Sequence, residues 1–460
     1  DHKIASRLRQ IIESDINQSS RSVWNIFCWW LPSHMDPRQT PEIVDVICNF
    51  DIQNDDSSSP FEISTRIGFL KCYLSVRINT YHKFDETTVQ FFDALAHPYN
   101  SVSENIASTL YDILDYSDKV LYTNFDELVL AGQNDESNSG FIYPTIPETF
   151  LKCFDQYLQN IMIWKEEAKG LSTQEIVNSK FMYGARGLQF LLMNILKSAH
   201  NKTLLPYLKK YIIPLLFELD LMRDACQLMG LQPIVILFFI ASVKYSPDQM
   251  PEVIDMMLNN HGIASPTLQQ SKHLLSFVQA FYVVRYLTIT KEQRLSLIDH
   301  AAKFLYNPHL QVREQAAKLF ATMIHTLIHS EADEVIEKYI KEFNSVLSMK
   351  KKKKKLNNAS AQSKKLSAEQ ICLLHGATLG LGALIDAFPY ITPPPKWLPS
   401  ILALLARRCN SIDGVVGRTA KDILSKFKKD RQDTWMIDSK FFTEEQLEDL
   451  EGVLWKSYFI

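Results

Sequence analysis

At 460 residues, with 46% hydrophobic and 22% charged side chains, the chain exceeds one core and must hold several domains or one elongated array. Only 14 glycines argue against a turn-rich all-β architecture and favour a helical one. A formal net charge of -3 excludes a global pull toward nucleic acid or anionic membrane, and seven scattered cysteines without a Cys-x-x-Cys pair point to a reducing cytosolic or nuclear setting.

The chain opens at Asp1 without Met, basic n-region or h-region, and Ile4, Leu8, Ile11 and Ile12 already follow helical spacing. Residue 1 is therefore expected to be a cut inside a longer protein. Trp24, Phe27, Trp29, Trp30 and Leu31 form an aromatic cluster that reads as core or inter-repeat packing rather than a binding platform. Residues 51–59 and 133–140 are acidic and Ser/Asn-rich, the composition of solvated loops. The apolar run from Ile234 to Ala241 follows Pro233 and is far shorter than a bilayer requires, so no membrane span is expected.

Three segments share one spacing: Val102, Ala107, Leu110, Leu114; Val312, Ala317, Phe320, Ile324; and Val415, Ala420, Ile423, Phe427. At about 100° per residue these offsets fall on one apolar face of a helix, with a small Ala where a neighbour can approach. Turns at His97-Pro98-Tyr99-Asn100 and Asn307-Pro308-His309 precede the first two, each after another apolar-periodic helix. Such a helix-turn-helix unit resembles the HEAT repeat, whose second helix often reads as Val312, Arg313, Ala316 and Ala317 do here. Ile213-Pro214-Leu215-Leu216 and Leu398-Pro399-Ser400-Ile401 look like first helices bent by proline. The spacing from Val102 to Val312 fits five units of roughly 42 residues, and that from Val312 to Val415 fits two units plus an insertion. The expected fold is all-α: a HEAT-like solenoid, or α-α superhelix, over residues 1–440, with inserted loops near 51–59, 133–140 and 349–366, then a capped helix and tail over 441–460. Lys350 to Lys355 is an unbroken lysine run; a nuclear-import signal or anion tether is conceivable, but like-charge blocks are usually solvated insertions.

Motifs for chemistry are weak. His325 and His329 share a helix face, yet Thr326 stands where a zincin needs its Glu, so no metal site is expected. Gly376, Gly380 and Gly382 lie in a helical pattern without the strand and Lys-Ser/Thr pair of a phosphate loop, and close helix packing explains them better. No nucleophile elbow or cysteine-histidine signature occurs, and neither enzymatic activity nor a cofactor is expected.

At the C-terminal end, Thr443 and Gln446 have capping-box spacing, and Leu447, Leu450, Val453 and Leu454 form an apolar stripe. An aromatic tail, Trp455 to Ile460, follows. Arg431-Gln432-Asp433-Thr434-Trp435 and Phe442-Thr443-Glu444-Glu445-Gln446-Leu447 resemble the end of the large single-chain proteasome activators, the bleomycin-resistance-type or two-hundred-kilodalton family. Pro395-Lys396-Trp397-Leu398-Pro399, Leu379-Gly380-Leu381-Gly382 and Val312-Arg313-Glu314 support the match. The resemblance implies an ATP-independent helical-repeat dome on the α-ring of the proteasome core particle, in nucleus and cytoplasm, with protein substrates as further partners and no nucleic acid or membrane among them. It also implies that the last three residues enter a pocket between α subunits and favour an open gate. By position, Tyr458 takes the hydrophobic place, Phe459 the place of the family's Tyr, and Ile460 supplies the carboxylate. Acetyl-lysine recognition is not carried over, because Leu327 and Ile328 stand where relatives have an Asn-Phe pair. Some relatives bind inositol phosphates, but no basic cluster here can be matched to such a site. The competing reading is a generic HEAT scaffold or transport receptor that binds a partner on its concave face.

Overall fold

The computed structural model describes residues 84–117, 147–197, 201–259, 266–327, 329–354, 367–409 and 414–454, with a few positions between 63 and 71. All regular elements among the described residues are helical. The aromatic cluster at Trp24 to Leu31 and the loops at 51–59 and 133–140 lie outside the described residues. The chain divides into two compact units, Asp1–Gln249 and Met250–Ile460.

In the first unit, α1 (Phe84–Ala94) and α2 (Asn100–Ser117) form a helix pair. Next come α3 (Glu148–Glu167), the short α4 (Thr173–Val177) and α5 (Lys180–Ile195). A third segment runs through α6 (Asn201–Tyr207), a π turn (Leu208–Ile212) and α7 (Ile213–Leu219), then α8 (Arg223–Met229) and α9 (Pro233–Ser242). The second helices stack on one another, α2 on α5 and α5 on α9, while α1 packs on α3, giving two layers.

The second unit repeats the plan with α10 (Met250–Leu258), α11 (Leu268–Arg285), α12 (Lys291–Lys303), α13 (Leu310–His325), α14 (His329–Lys354), α15 (Ala368–Ala387), α16 (Leu398–Cys409) and α17 (Val415–Asp430). It closes with α18 (Trp435–Asp438) and α19 (Glu444–Leu454). Helices α11, α13, α15 and α17 stack in one layer, and α10 and α12 pack in the other. Because α15 touches α13, α14 and α17, it is apolar nearly all round. Among the described residues it is the single helix long and apolar enough to cross a bilayer, and burial between helical neighbours accounts for that composition.

The shared spacing is borne out for the first two copies, whose eight positions are all buried. In the third the face is displaced by one residue: Val416, Ala420, Leu424 and Phe427 are buried, while Val415 and Ile423 are only partly covered.

Buried arginines join neighbouring units at their turns. Arg313 donates from one terminal nitrogen to the carbonyls of Asn307 (2.8 Å) and Pro308 (2.9 Å), and from Nε to His375 Nδ1 (3.0 Å). Since the guanidinium can only donate, Nδ1 of His375 accepts, so its Nε2–H donates to Thr419 Oγ1 at 2.9 Å. One chain of bonds thus links α13, α15 and α17. In the first unit Arg186 does the equivalent work, donating to the carbonyls of His97 (2.9 Å) and Pro98 (2.7 Å). The glycines that follow Arg186 and His375 occupy matching places. A Cβ on Gly187 would lie 2.5 Å from the Leu95 carbonyl oxygen, and one on Gly376 would lie 2.2 Å from that of Leu305. Both leucines stand seven residues before the first Val of the shared spacing. Gly380 faces the Phe343 ring and Gly382 faces Ile423, so the Gly-x-x-x-Gly-x-Gly stretch is a packing motif, as its sequence context suggests.

Helix starts are marked by capping boxes at Ser172/Glu175, Thr267/Gln270, Thr290/Gln293 and Ser367/Gln370. Pro214 sits in the first turn of α7 just after the π turn, which relieves its clash with the carbonyl one turn back. Pro399 is the second residue of α16, where no intrahelical donor is lost, so it starts that helix rather than bending it. The expected insertion near 349–366 begins later than its composition suggests: α14 runs to Lys354, since lysine tolerates helix well and cations suit a C-terminal turn. Residues 355–366 lie outside the described residues.

Gly376→Ala is expected to lower stability by about 2 kcal/mol or more through overpacking, despite the roughly 1 kcal/mol helix preference of alanine. Gly452→Ala in α19, where nothing stands within 4 Å, is expected to leave stability unchanged or raise it; thermal melts of the two variants make the comparison. Burial holds both His375 and His300 down to a pKa of about 4. Between that value and the ordinary 6.5 the unfolded chain binds more protons, so stability should fall as pH drops through this window. His375→Gln keeps an acceptor for Arg313 and a donor for Thr419 but cannot titrate, so denaturant melts from pH 7 to pH 4 should show a shallower loss for that variant.

Candidate partner-docking end of the chain

The segment after α17 turns on one buried ion pair. Arg431 and Asp438 are each at most 2% exposed, and their closest atoms lie 3.3 Å apart. Arg431 also donates to the carbonyl of Ile391 at 2.7 Å, and Thr434 Oγ1 donates to Asp438 Oδ2 at 2.7 Å. The loop after α15 is thereby tied to α18. Trp435 lies between Phe427 (centroids 6.4 Å) and Phe442 (5.4 Å), which seats the segment on α17. On the outer side Met436, Ile437 and Phe441 are exposed, as is Tyr390 in the tied loop.

α19 starts with the expected capping box. The backbone N–H of Thr443 donates to Gln446 Oε1 (3.0 Å), and that of Gln446 donates to Thr443 Oγ1 (3.3 Å). Leu450 and Val453 are buried and Leu447 is half-buried, against α16 and α17. α19 therefore covers α16 from outside while presenting Glu444, Glu445, Glu448 and Glu451 to solvent. Arg407 near the end of α16 reaches across: its Nε donates to Asp449 Oδ2 at 2.6 Å and a terminal nitrogen to Glu445 Oε1 at 2.8 Å. These carboxylates raise the pKa of the guanidinium further above its ordinary value, Asp449 contributing most. Tyr458, Phe459 and Ile460, the residues expected to dock, lie outside the described residues, as does the side chain of Leu454.

The other candidate residues have structural partners. His325 donates from Nδ1 to the carbonyl of Ala387 at 2.6 Å, at the end of α15, and the side chain of His329 lies outside the described residues. Leu327 is buried, and Ile328 lies outside the described residues. Burial pushes the Cys226 thiol up to about 11 and also raises Cys153 and Cys409, the opposite of what an activated nucleophile needs. Among the described residues no group of three metal-ligating side chains converges. Arg407 and Asp438 carry no signal that the sequence analysis used, and Arg431 enters it only as part of the family motif, without its partners. The i, i+4 acidic pair Glu445 and Asp449, opposite Arg407-Arg408, was the available signal for the first.

The family described as "Proteasome activator complex subunit 4-like, C-terminal" matches residues 371–460, which include α15 through α19. Over its whole length the chain is 27% identical to "Proteasome activator BLM10" of Saccharomyces cerevisiae, of which it covers 21%. It is 27% identical over 45% of its length to "Proteasome activator subunit 4" of Arabidopsis thaliana, covering 10% of that protein. To "Proteasome activator complex subunit 4" of Homo sapiens it is 26% identical over 33% of its length, covering 8%. The chain thus spans about a fifth or less of each of these relatives. With the helical-repeat architecture and the capped terminal helix, these matches make the chain similar to the C-terminal portion of the large proteasome activators.

Proposed function

We propose that this chain is the docking end of an ATP-independent activator that seats on the outer α-ring of the proteasome core particle, inserts Tyr458, Phe459 and Ile460 between neighbouring α subunits, and favours an open gate. The observation that carries this reading is the similarity to a proteasome activator along the entire chain, together with a family match that runs to residue 460. α19 supports it physically. A helix capped at its start and braced against α16 gives residues 455–460 a fixed point of departure, which lowers the ordering cost of docking.

The tail chemistry suits a cleft between two protein subunits. Two aromatic rings supply burial, and a carboxylate at Ile460 supplies a charge-assisted bond to a lysine in the pocket. Phe459 gives up the hydroxyl of the family's Tyr, a loss of about 0.5 to 1.5 kcal/mol in docking. The role is regulatory rather than catalytic. Its setting is the nucleus and cytoplasm, and its further partners are the proteins the core particle degrades.

Deleting residues 458–460 from the full-length protein is expected to abolish stimulated peptide hydrolysis by purified core particle and to weaken binding strongly. Phe459→Tyr is expected to tighten binding several-fold. Unchanged binding and hydrolysis after the deletion would refute tail docking and leave a helical scaffold that holds its partner on another surface.

A further inference from the structure

We propose that Arg407 is a positioning residue for tail docking: by bridging Glu445 and Asp449 it fixes the direction in which α19 delivers residues 455–460 to the core particle. The inference rests on the docking reading above and adds the device that orients the tail.

Along α19 the buried contacts form a narrow stripe, with Leu450 and Val453 covered and Leu447 partly so. Such a stripe resists lifting but resists rotation about the helix axis poorly. Phe442 anchors the entry to the helix, while Glu444 and Glu445 of the first turn stand exposed. Glu445 and Asp449 lie one turn apart on the same flank of the helix. The planar guanidinium of Arg407 engages both, Nε on Asp449 at 2.6 Å and a terminal nitrogen on Glu445 at 2.8 Å. Two attachment points from one rigid fork block the rotation that the stripe permits, which a single ammonium on a flexible stem cannot do. The displacement is large enough to matter: at a side-chain radius of about 5 Å, a rotation of about 20° about the axis shifts the point where the tail departs by about 2 Å, enough to break a hydrogen bond.

The fork is open to solvent on the Glu445 side, where the Arg407 side chain is 52% and that of Glu445 79% exposed, and more covered at Asp449, which is 24% exposed. Exposed ion pairs contribute little to folding. Removing this one should therefore disturb the direction of the tail more than the stability of the unit, and the two effects can be read separately.

The test is a double-mutant cycle in the full-length protein, with affinity for purified core particle and thermal midpoint as readouts. The four proteins are wild type, Arg407→Glu, the deletion of 458–460, and the two changes combined. Arg407→Glu is expected to weaken binding by about five- to tenfold, the cost of ordering a tail that is no longer aimed. It should leave the thermal midpoint near that of wild type and add nothing once the tail is deleted. Arg407→Glu with Asp449→Arg restores one of the two pairs and should recover much of the lost affinity. Equal weakening with and without the tail would overturn the proposal, because Arg407 would then be acting through its own contact or through stability. A deletion that weakens binding beside an Arg407→Glu variant that does not would overturn it while leaving tail docking standing. A deletion without effect refutes tail docking itself and this inference with it. Should Arg407→Glu fail to fold, Glu445→Gln with Asp449→Asn removes the same two bonds from the other side.

Discussion

Where one helix of a pair gives way to the next, the chain turns at the margin of a packed layer, and the carbonyls of that partly covered turn have no helical donor of their own. The proline in each turn makes the problem sharper, since it brings an acceptor without a donor. Buried guanidinium groups resolve it: Arg186 satisfies His97 and Pro98, and Arg313 satisfies Asn307 and Pro308. Arg186 belongs to the following pair and Arg313 to its own, held in place by His375 of the following one. In either arrangement a turn is completed only when its neighbour is present, so each unit depends on the next for polar satisfaction as well as apolar burial. The same requirement fixes glycine at 187 and 376, because the helix that brings the polar group must also approach a main-chain oxygen closely.

Much of this was legible in the sequence. Offsets of 0, 5, 8 and 12 from Val102 and Val312 mark faces that are fully covered, and the Asn307-Pro308 and His97-Pro98 turns stand where they were expected. Thr443 and Gln446 announced the terminal helix, and four further boxes, such as Thr290/Gln293, carried the same signal. Other features could not be read. Periodicity cannot tell Val415 from Val416 when both are apolar, because tertiary neighbours choose the face. Proline at 399 was read as a bend because its position within the helix depends on where the helix starts. The partners of Arg407 and Arg431 depend on contacts between elements, 38 and 42 residues apart for the first and 40 for the Ile391 carbonyl, and no local pattern encodes them.

The end of the second unit combines two kinds of electrostatic contact with different tasks. Arg431 and Asp438 are buried, so their desolvation must be offset by mutual attraction and by Thr434 and the Ile391 carbonyl, and the result is a rigid corner. Arg407 works at the surface, where attraction is weak but directional. The corner decides where α19 begins, and the surface fork decides how it lies. Together they explain how a short helix with few buried side chains can hold a definite orientation.

The outward face of α19 has a consequence for colloidal behaviour. A stack of helix pairs left bare at α16 would present an apolar flank to the same flank of a second copy, and two copies could pair face to face. Beside the Arg407-paired Glu445, the exposed Glu444, Glu448 and Glu451 place negative charge over that flank, so two such faces repel rather than adhere.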